Sequence, residues 1–494
     1  MKRAARVLRQ PIFWILLFAL FHGVWYAAIV HPWQAPDEYL HYQQLRLFEA
    51  KRSLTITAED VSSAIQWEVA DSMLIFQHHR YRLLPTPPEN VYRSIRLPLG
   101  GSGGYSTQAP LYYLLSLPIY WGTAALPVVT QLYALRLFSV TLYVATIWLT
   151  YQLARLIFQG QASAGQASAG QASAGQASAG QASAGPASQT IALASAALVA
   201  LLPQYTFISA SYNNDNMAPP LVAAALYAMF KSVQEQGRLR WLLFASALAI
   251  LALTAKRTAI GVVPVLGLTL FACGLLWWRS GRPGLRAAGV FVVGLPLAGL
   301  AGLMLLLANP LPIPAQLTGM FRLGGNVLLQ LTGYLQNPGL LAERLNWGWS
   351  SRFALESFWG QFAWLTLRLD PSVIDATEWV TKFMMVGCVL GAVRAIRSRR
   401  CPGSGLRAFA LSTMALGLLV TGLVMAVQYV IDSFVAPQGR YLFSFISAFG
   451  ILAVWGWRAF WPARWQDPAT LLGLGLLMLL DILSWTTIVS YFYS

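Results

Sequence analysis

Two carboxylates stand side by side in APDEYLHYQ, residues 35–43, directly after the first apolar run. Pro36 suits a first helical turn, and Asp37 and Glu38 suit a helix N-terminus. In a helix that continues, Asp37 and His41 share a face at i, i+4. The two adjacent carboxylates, at the mouth of a membrane bundle, can serve as a general base or hold a divalent cation, Mg or Mn. A capped interfacial helix is the plainer alternative, and the residues alone leave both open. A second polar island, SASYNNDNMAPP, sets Asn214 and Asp215 between two apolar runs, where turn chemistry and a binding role compete. A third, TAKRTA, carries Lys256 and Arg257. The run before it, 241–255, makes ~22 Å of helix against a ~30 Å hydrocarbon core. The cations therefore sit at or below the membrane boundary, where charge points to function unless the side chains snorkel outward. The fourth is APQGRYLFSF with Arg440 and Tyr441. Arg440 is a forked donor suited to phosphate, and Asp432 is near enough in sequence to offer a purely structural pair. Asp481 stands mid-run near the C-terminus and calls for a buried polar partner.

The elements that position these residues follow from composition. The chain has 494 residues, of which 56% are hydrophobic and 11% charged, with mean hydropathy +0.54. A soluble globular chain carries about 25% charge, so this is an all-α, polytopic membrane protein. Eleven spans are expected, at 12–30, 131–157, 189–209, 216–234, 241–255, 258–278, 287–308, 379–396, 408–431, 440–457 and 469–491. The Pro-interrupted stretch 109–129 reads as a short interfacial helix. With that choice the net charge of +16 falls mainly on one side, as the positive-inside rule requires, and it needs no nucleic-acid partner. The N-terminus is then cytoplasmic, and the four polar islands share the outer face. The first span is a retained anchor, because its run is about 19 residues long with no cleavage motif after it.

Four regions result. Residues 1–308 form a membrane module that includes an outer loop, 31–130, with amphipathic interfacial helices. Residues 158–189 are a low-complexity cytoplasmic linker holding five copies of QASAG, flexible by composition. Residues 309–378 form a second outer loop whose tryptophans suit an interface. Residues 379–494 supply the last spans. Cys273 and Cys388 lie in apolar runs and Cys401 in a basic loop, so no disulfide framework is expected.

The order of the islands resembles the GT-C superfamily of polyprenyl-phosphate-sugar-dependent glycosyltransferases. PDE…H follows the first span, then QAPLYYLL, RLFSVTLYVATIWLTYQLARLIF, SASYNNDN, KRTA, SFWGQFAWL and QGRY. It looks closer still to an uncharacterised bacterial membrane family within that superfamily. The resemblance implies a GT-C-like helix arrangement and an inverting, mannosyltransferase-like enzyme of the cell (inner) membrane. The sugar donor would be a lipid such as undecaprenyl phosphate, and the acceptor a lipid, polysaccharide or protein of the cell envelope. It implies catalytic acids at Asp37 and Glu38, with Asp215 as a second acidic position. His41, Asn214, Asp215, Lys256, Arg257, Arg440 and Tyr441 would contact substrate. Some members use a divalent cation, which would fall between Asp37 and Asp215. No WWDYG motif is present. A transporter or flippase using Asp215, Lys256, Arg257, Asp432 and Asp481 is the alternative, although no inverted repeat is visible.

Overall fold

The computed structural model describes residues 10–52, 65, 68, 69, 71–73, 110–159, 186–280, 333, 336–397, 404–431 and 436–493. Most of the expected outer loop 31–130, the QASAG repeats, residues 309–332 and the expected span 287–308 lie outside them. Every other expected span is helical. Helix α1 (Pro11–Ile29) starts with proline at its first turn, where the missing N–H has no partner to lose. After a turn come α2 (Glu38–Lys51) and α3 (Leu111–Thr123). At 13 residues α3 is only ~20 Å long, too short to cross a bilayer. Helix α4 (Val128–Phe158) has 31 residues, so at ~46 Å it outruns the hydrocarbon core.

Helices α5 (Pro186–Leu201) and α6 (Pro203–Ser209) form a pair bent by 66°. Pro203 has no N–H to continue the ladder. The freed end is held from the side: the Ala200 carbonyl accepts from Tyr143 Oη at 2.5 Å and lies 3.1 Å from His22 Nδ1. The other nitrogen of His22 is 2.8 Å from Asp481 Oδ2, and Tyr26 donates to Asp481 Oδ1 at 2.8 Å. Asp481 thus has the buried polar partners its sequence position calls for.

Next come α7 (Ala218–Gln234), α8 (Leu239–Ala255) and α9 (Val262–Arg279). Residues 336–370 contain α10 (Pro338–Leu345), α11 (Trp347–Trp359) and a hairpin of two-residue strands, β1 (Gln361–Phe362) and β2 (Leu367–Arg368). The chain ends in α12 (Pro371–Arg397), α13 (Ser404–Ile431), α14 (Ile446–Ala459) and α15 (Gln466–Tyr493). Among the described residues seven helices are long and apolar enough to cross a membrane, or eight with the bent pair taken as one span. Helices α7 and α8, of 17 residues each, fall short of the ~20 usual for a span.

Helix α4 packs against α1, α5 and α7, and α14 packs against α5 and α12. The α12–α14 crossing is close because Gly387 and Gly456 face each other. A Cβ at Gly387 would stand 2.1 Å from the Gly456 carbonyl oxygen, the small-residue contact common between membrane helices. Trp379, Met385, Val386 and Val389 on α12 are exposed, as a face toward lipid would be.

Candidate active site

The site starts in the turn between α1 and α2. Trp33 and Asp37 both have positive φ, 68° and 61°, a sparsely populated conformation outside glycine. Asp37 occupies the N-cap position of α2, yet its side chain makes no capping bond. Its carboxylate points away and accepts from Arg440 Nη2 at 3.1 Å. The left-handed residue separates the two adjacent acids. Asp37 keeps 34% of its side chain exposed, whereas Glu38 keeps none.

Glu38, expected as a second catalytic acid, is saturated. Its Oε1 accepts from Arg136 Nε at 2.8 Å and Tyr212 N at 3.0 Å. Its Oε2 accepts from Arg136 Nη2 at 2.7 Å and Trp33 N at 3.0 Å. Arg136 spends its remaining N–H groups on the carbonyls of Ala27, Val30 and His31, at 2.8, 2.6 and 3.0 Å. These lie at the C-terminal end of α1, where a cation is favoured. With no lone-pair position left, Glu38 clamps α1, α2 and α4 together and does not face the open side of Asp37. Sequence reasoning missed Arg136. Its signal was a lone arginine inside the apolar run YALRLFSV, which is costly unless paired.

Asp215 lies in a short 3-10 turn, Asn214–Met217, and its backbone N–H donates to the Asn213 side chain at 2.9 Å. Asn213 also donates to the Pro36 carbonyl at 2.9 Å, which ties this turn to the Asp37 turn. Lys256, at the end of α8, forms an ion pair with Asp215 and donates to Asn214 Oδ1 at 3.2 Å. Burial pushes the Asp215 carboxyl up, but Lys256 and Arg440 outweigh it and hold the group below the usual carboxylate value.

Arg440 sits in the 3-10 turn Gly439–Phe445 and is 7% exposed. The turn is anchored by Gly439 N donating to Ser357 Oγ at 2.7 Å and by the Thr258–Ser444 hydroxyl contact at 2.7 Å. Only glycine fits at 439, since a Cβ there would lie 2.1 Å from the Ala354 carbonyl oxygen. Arg440 reaches Asp37 and also approaches Asp215, with Nη1 at 3.9 Å from Oδ2. Its Nε and Nη1 are buried without a hydrogen-bond acceptor among the described residues. Its guanidinium carbon is 5.7 Å from the Tyr441 ring centroid. The alternative partner Asp432 lies outside the described residues.

His41 completes the group, with Nδ1 2.7 Å from Tyr113 Oη. Burial pushes its imidazole down to about 4, against the pull of Asp37 and with the help of Lys256. The β1–β2 hairpin meets the turn that carries Asp37, and its own turn places Ala363, Trp364 and Leu365 in succession at positive φ. Trp364 Nε1 donates to the Trp33 carbonyl at 3.3 Å, and its ring lies 5.8 Å from Tyr39. Asp37, His41, Asn214, Asp215, Lys256 and Arg440, distant in sequence, thus meet at one place. Arg257 does not join them: it is exposed and makes no ion pair among the described residues.

The residues do not fit a divalent ion. Arg440 lies between Asp37 and Asp215, Lys256 holds Asp215, and two carboxylates already face two cations. Among the described residues there is no group of three or more His, Cys, Asp or Glu side chains placed to hold a metal. Asp37 and Asp215, expected as a metal pair, are bridged by a guanidinium instead.

Fold and site together define an all-α multi-pass membrane protein with a buried ion cluster at one end of its helices. The model of a glycosyltransferase family, dolichyl-phosphate-mannose-protein mannosyltransferase, matches residues 185–298, a stretch that includes Asn214, Asp215, Lys256 and Arg257. No curated protein matches the chain by sequence. Among solved structures the chain is similar to the Archaeoglobus fulgidus oligosaccharyltransferase tethered to an acceptor peptide containing the NVT sequon. Identity is 12% and the TM-score 0.39, over 78% of this chain. The chain spans about half, 47%, of that protein's length.

Proposed function

We propose that this protein is a GT-C-type membrane glycosyltransferase that takes a sugar from a polyprenyl phosphate and passes it to a hydroxyl acceptor of the cell envelope. One observation carries the reading: a buried arginine is shared between two carboxylates and keeps two of its nitrogens, Nε and Nη1, without a hydrogen-bond acceptor among the described residues. Buried cationic N–H groups without acceptors cost stability, and a lipid phosphate oxygen would satisfy them. The family match over the Asp215–Lys256 stretch supports the same class.

In the reaction the sugar donor's phosphate takes up Arg440 and Lys256, and Arg440 leaves Asp37. Asp37 then accepts the proton of the acceptor hydroxyl. The acceptor oxygen attacks the anomeric carbon on the face opposite the phosphate, so the configuration inverts. The bond from that carbon to the phosphate oxygen breaks, and the electron pair leaves with the polyprenyl phosphate. A singly charged diester thereby becomes a more negative monoester. Fixed cations at that oxygen are worth more in the transition state than in the ground state. Asp215 keeps Lys256 in place, and Asn214 orients the ammonium.

The charge asymmetry of the loops supports a cytoplasmic N-terminus and a site on the outer face of the inner membrane. The eleven-span count, the cytoplasmic QASAG linker, and the division into an N-terminal module and a C-terminal helix set belong to the same proposal. The transport alternative needs a linked run of buried charges, but Asp481 binds His22 and Tyr26 in a separate network. The test is transfer or hydrolysis of a radiolabelled polyprenyl-phosphate sugar by the purified protein in lipid nanodiscs. Asp37→Asn keeps the side chain's shape and removes the base, so turnover should fall by ~10²–10⁴. Near-normal turnover in that variant would reject the assignment.

A further inference from the structure

Helix α2 runs away from Asp37, and the face it continues is unusual for a buried helix. His41 and Phe48 both meet the same ring on α3, with centroids 6.1 and 5.4 Å from that of Tyr113. Gln44 lies between them, three residues after His41 and four before Phe48, so it shares that face. It is 1% exposed, and neither its Nε2 nor its Oε1 has a hydrogen-bond partner among the described residues. A buried amide with both ends unsatisfied is a standing cost of desolvation, and such groups in native proteins usually mark water or a ligand. An apolar side chain would fill the same space without that cost.

The surroundings say which ligand chemistry fits. The amide offers one donor group and one acceptor, which a single hydroxyl can satisfy together. Tyr113 adds a phenolic oxygen beside His41. Tyr113 and Phe48 add aromatic surface for a C–H face. His41 stays uncharged near neutrality, since burial pushes its imidazole down to about 4. The charged groups that face it, Asp37, Asp215, Lys256 and Arg440, lie toward the reacting end. His41, Gln44, Phe48 and Tyr113 carry no charge near neutrality, which suits hydroxyls over aromatic rings; along the same face the next charge on α2 is Lys51, two turns beyond Gln44 and exposed.

We propose that Gln44, with His41, Phe48 and Tyr113, forms an acceptor subsite that binds a neutral carbohydrate. The inference rests on the reading of Asp37 as the base, because the subsite is defined by its distance from that carboxylate. Seven residues of helix separate Gln44 from Asp37, roughly 10 Å along the axis. A sugar ring poised for attack at Asp37 would not reach it, so the acceptor carries at least one further sugar unit. Gln44 is a binding and positioning residue in this scheme and does not touch the reacting atoms.

The experiment measures binding without turnover. The full-length protein in nanodiscs is titrated with the methyl glycosides of mannobiose, maltose, cellobiose and chitobiose, followed by saturation-transfer NMR. Wild type should bind at least one of them. Gln44→Met should weaken that binding tenfold or more while its thermal midpoint stays level or rises, because an unsatisfied amide has been replaced by an apolar side chain of similar shape. Gln44→Asn keeps the amide but withdraws it by one methylene, and it should weaken binding to an intermediate degree. Equal binding by wild type and Gln44→Met, no binding of any glycoside to wild type, or a lowered midpoint in both variants would overturn the proposal. The last result would make Gln44 a packing residue, and the first would mean that water alone fills the site. Absence of sugar-donor cleavage with glycoside binding intact would count against the glycosyltransferase reading instead, so the two failures are separable.

Discussion

Replacing Glu38 by glutamine should damage folding rather than chemistry. Glu38 and Arg136 are both wholly buried, and their side chains fill one another's hydrogen-bonding capacity together with Trp33 N, Tyr212 N and the carbonyls of Ala27, Val30 and His31. Glutamine retains one acceptor oxygen and turns an NH₂ toward N–H groups. Arg136 is then left charged, buried and without a counter-ion. Breaking a buried pair in this way costs about 3–5 kcal/mol, a large share of the ~5–15 kcal/mol by which a domain is stable. Arg136→Met should cost at least as much, since three carbonyls and a carboxylate lose their donors. The double variant should be less destabilised than the sum of the singles, with a coupling of about 1–3 kcal/mol. Thermal and denaturant unfolding in nanodiscs would measure all four corners of the cycle, and sugar transfer per folded molecule would be measured beside it. A Glu38→Gln protein within about 0.5 kcal/mol of wild type, with turnover lost as in Asp37→Asn, would refute the reasoning and return Glu38 to the reacting centre.

Other consequences are as direct. Arg440→Lys loses the forked geometry, so affinity for the sugar donor should fall about tenfold or more with little change in thermal midpoint; an unchanged affinity in a stable variant would remove the phosphate role. Gly439→Ala pushes a Cβ into the Ala354 carbonyl, so it should displace the Arg440 turn and lower both stability and affinity for the sugar donor, as unfolding and binding measurements would reveal. His41 has its imidazole depressed in the folded state from 6.5 to about 4. Only the unfolded chain takes up that proton as pH falls below 6.5, so stability should be level above pH ~7 and drop by about 3 kcal/mol between pH 6.5 and 4. His41→Gln should remove that slope, and an unchanged pH profile would show that the imidazole titrates normally.

The fold was legible because lipid leaves the backbone few choices: the apolar runs had to become helices, and those within the described residues did. The ion cluster was legible for a related reason, since charges at the ends of apolar runs are conspicuous. The division of labour between Asp37 and Glu38 was not. The two are neighbours in sequence, and one left-handed residue at 37 sends the first side chain to Arg440 and the second to Arg136. No spacing rule registers a single φ. The hairpin after Trp359 was hidden in the same way. Its strands have two residues each, and its turn uses Ala363, Trp364 and Leu365 at positive φ, where glycine or asparagine would have signalled it. Such strain persists where surrounding contacts over-determine it, and it gathers at functional sites. Trp33, Asp37, Ala363, Trp364 and Leu365 account for most of the non-glycine positive φ values among the described residues. Trp364 binds the Trp33 carbonyl directly, so the strained turn and the strained hairpin brace each other around the carboxylate proposed as the base.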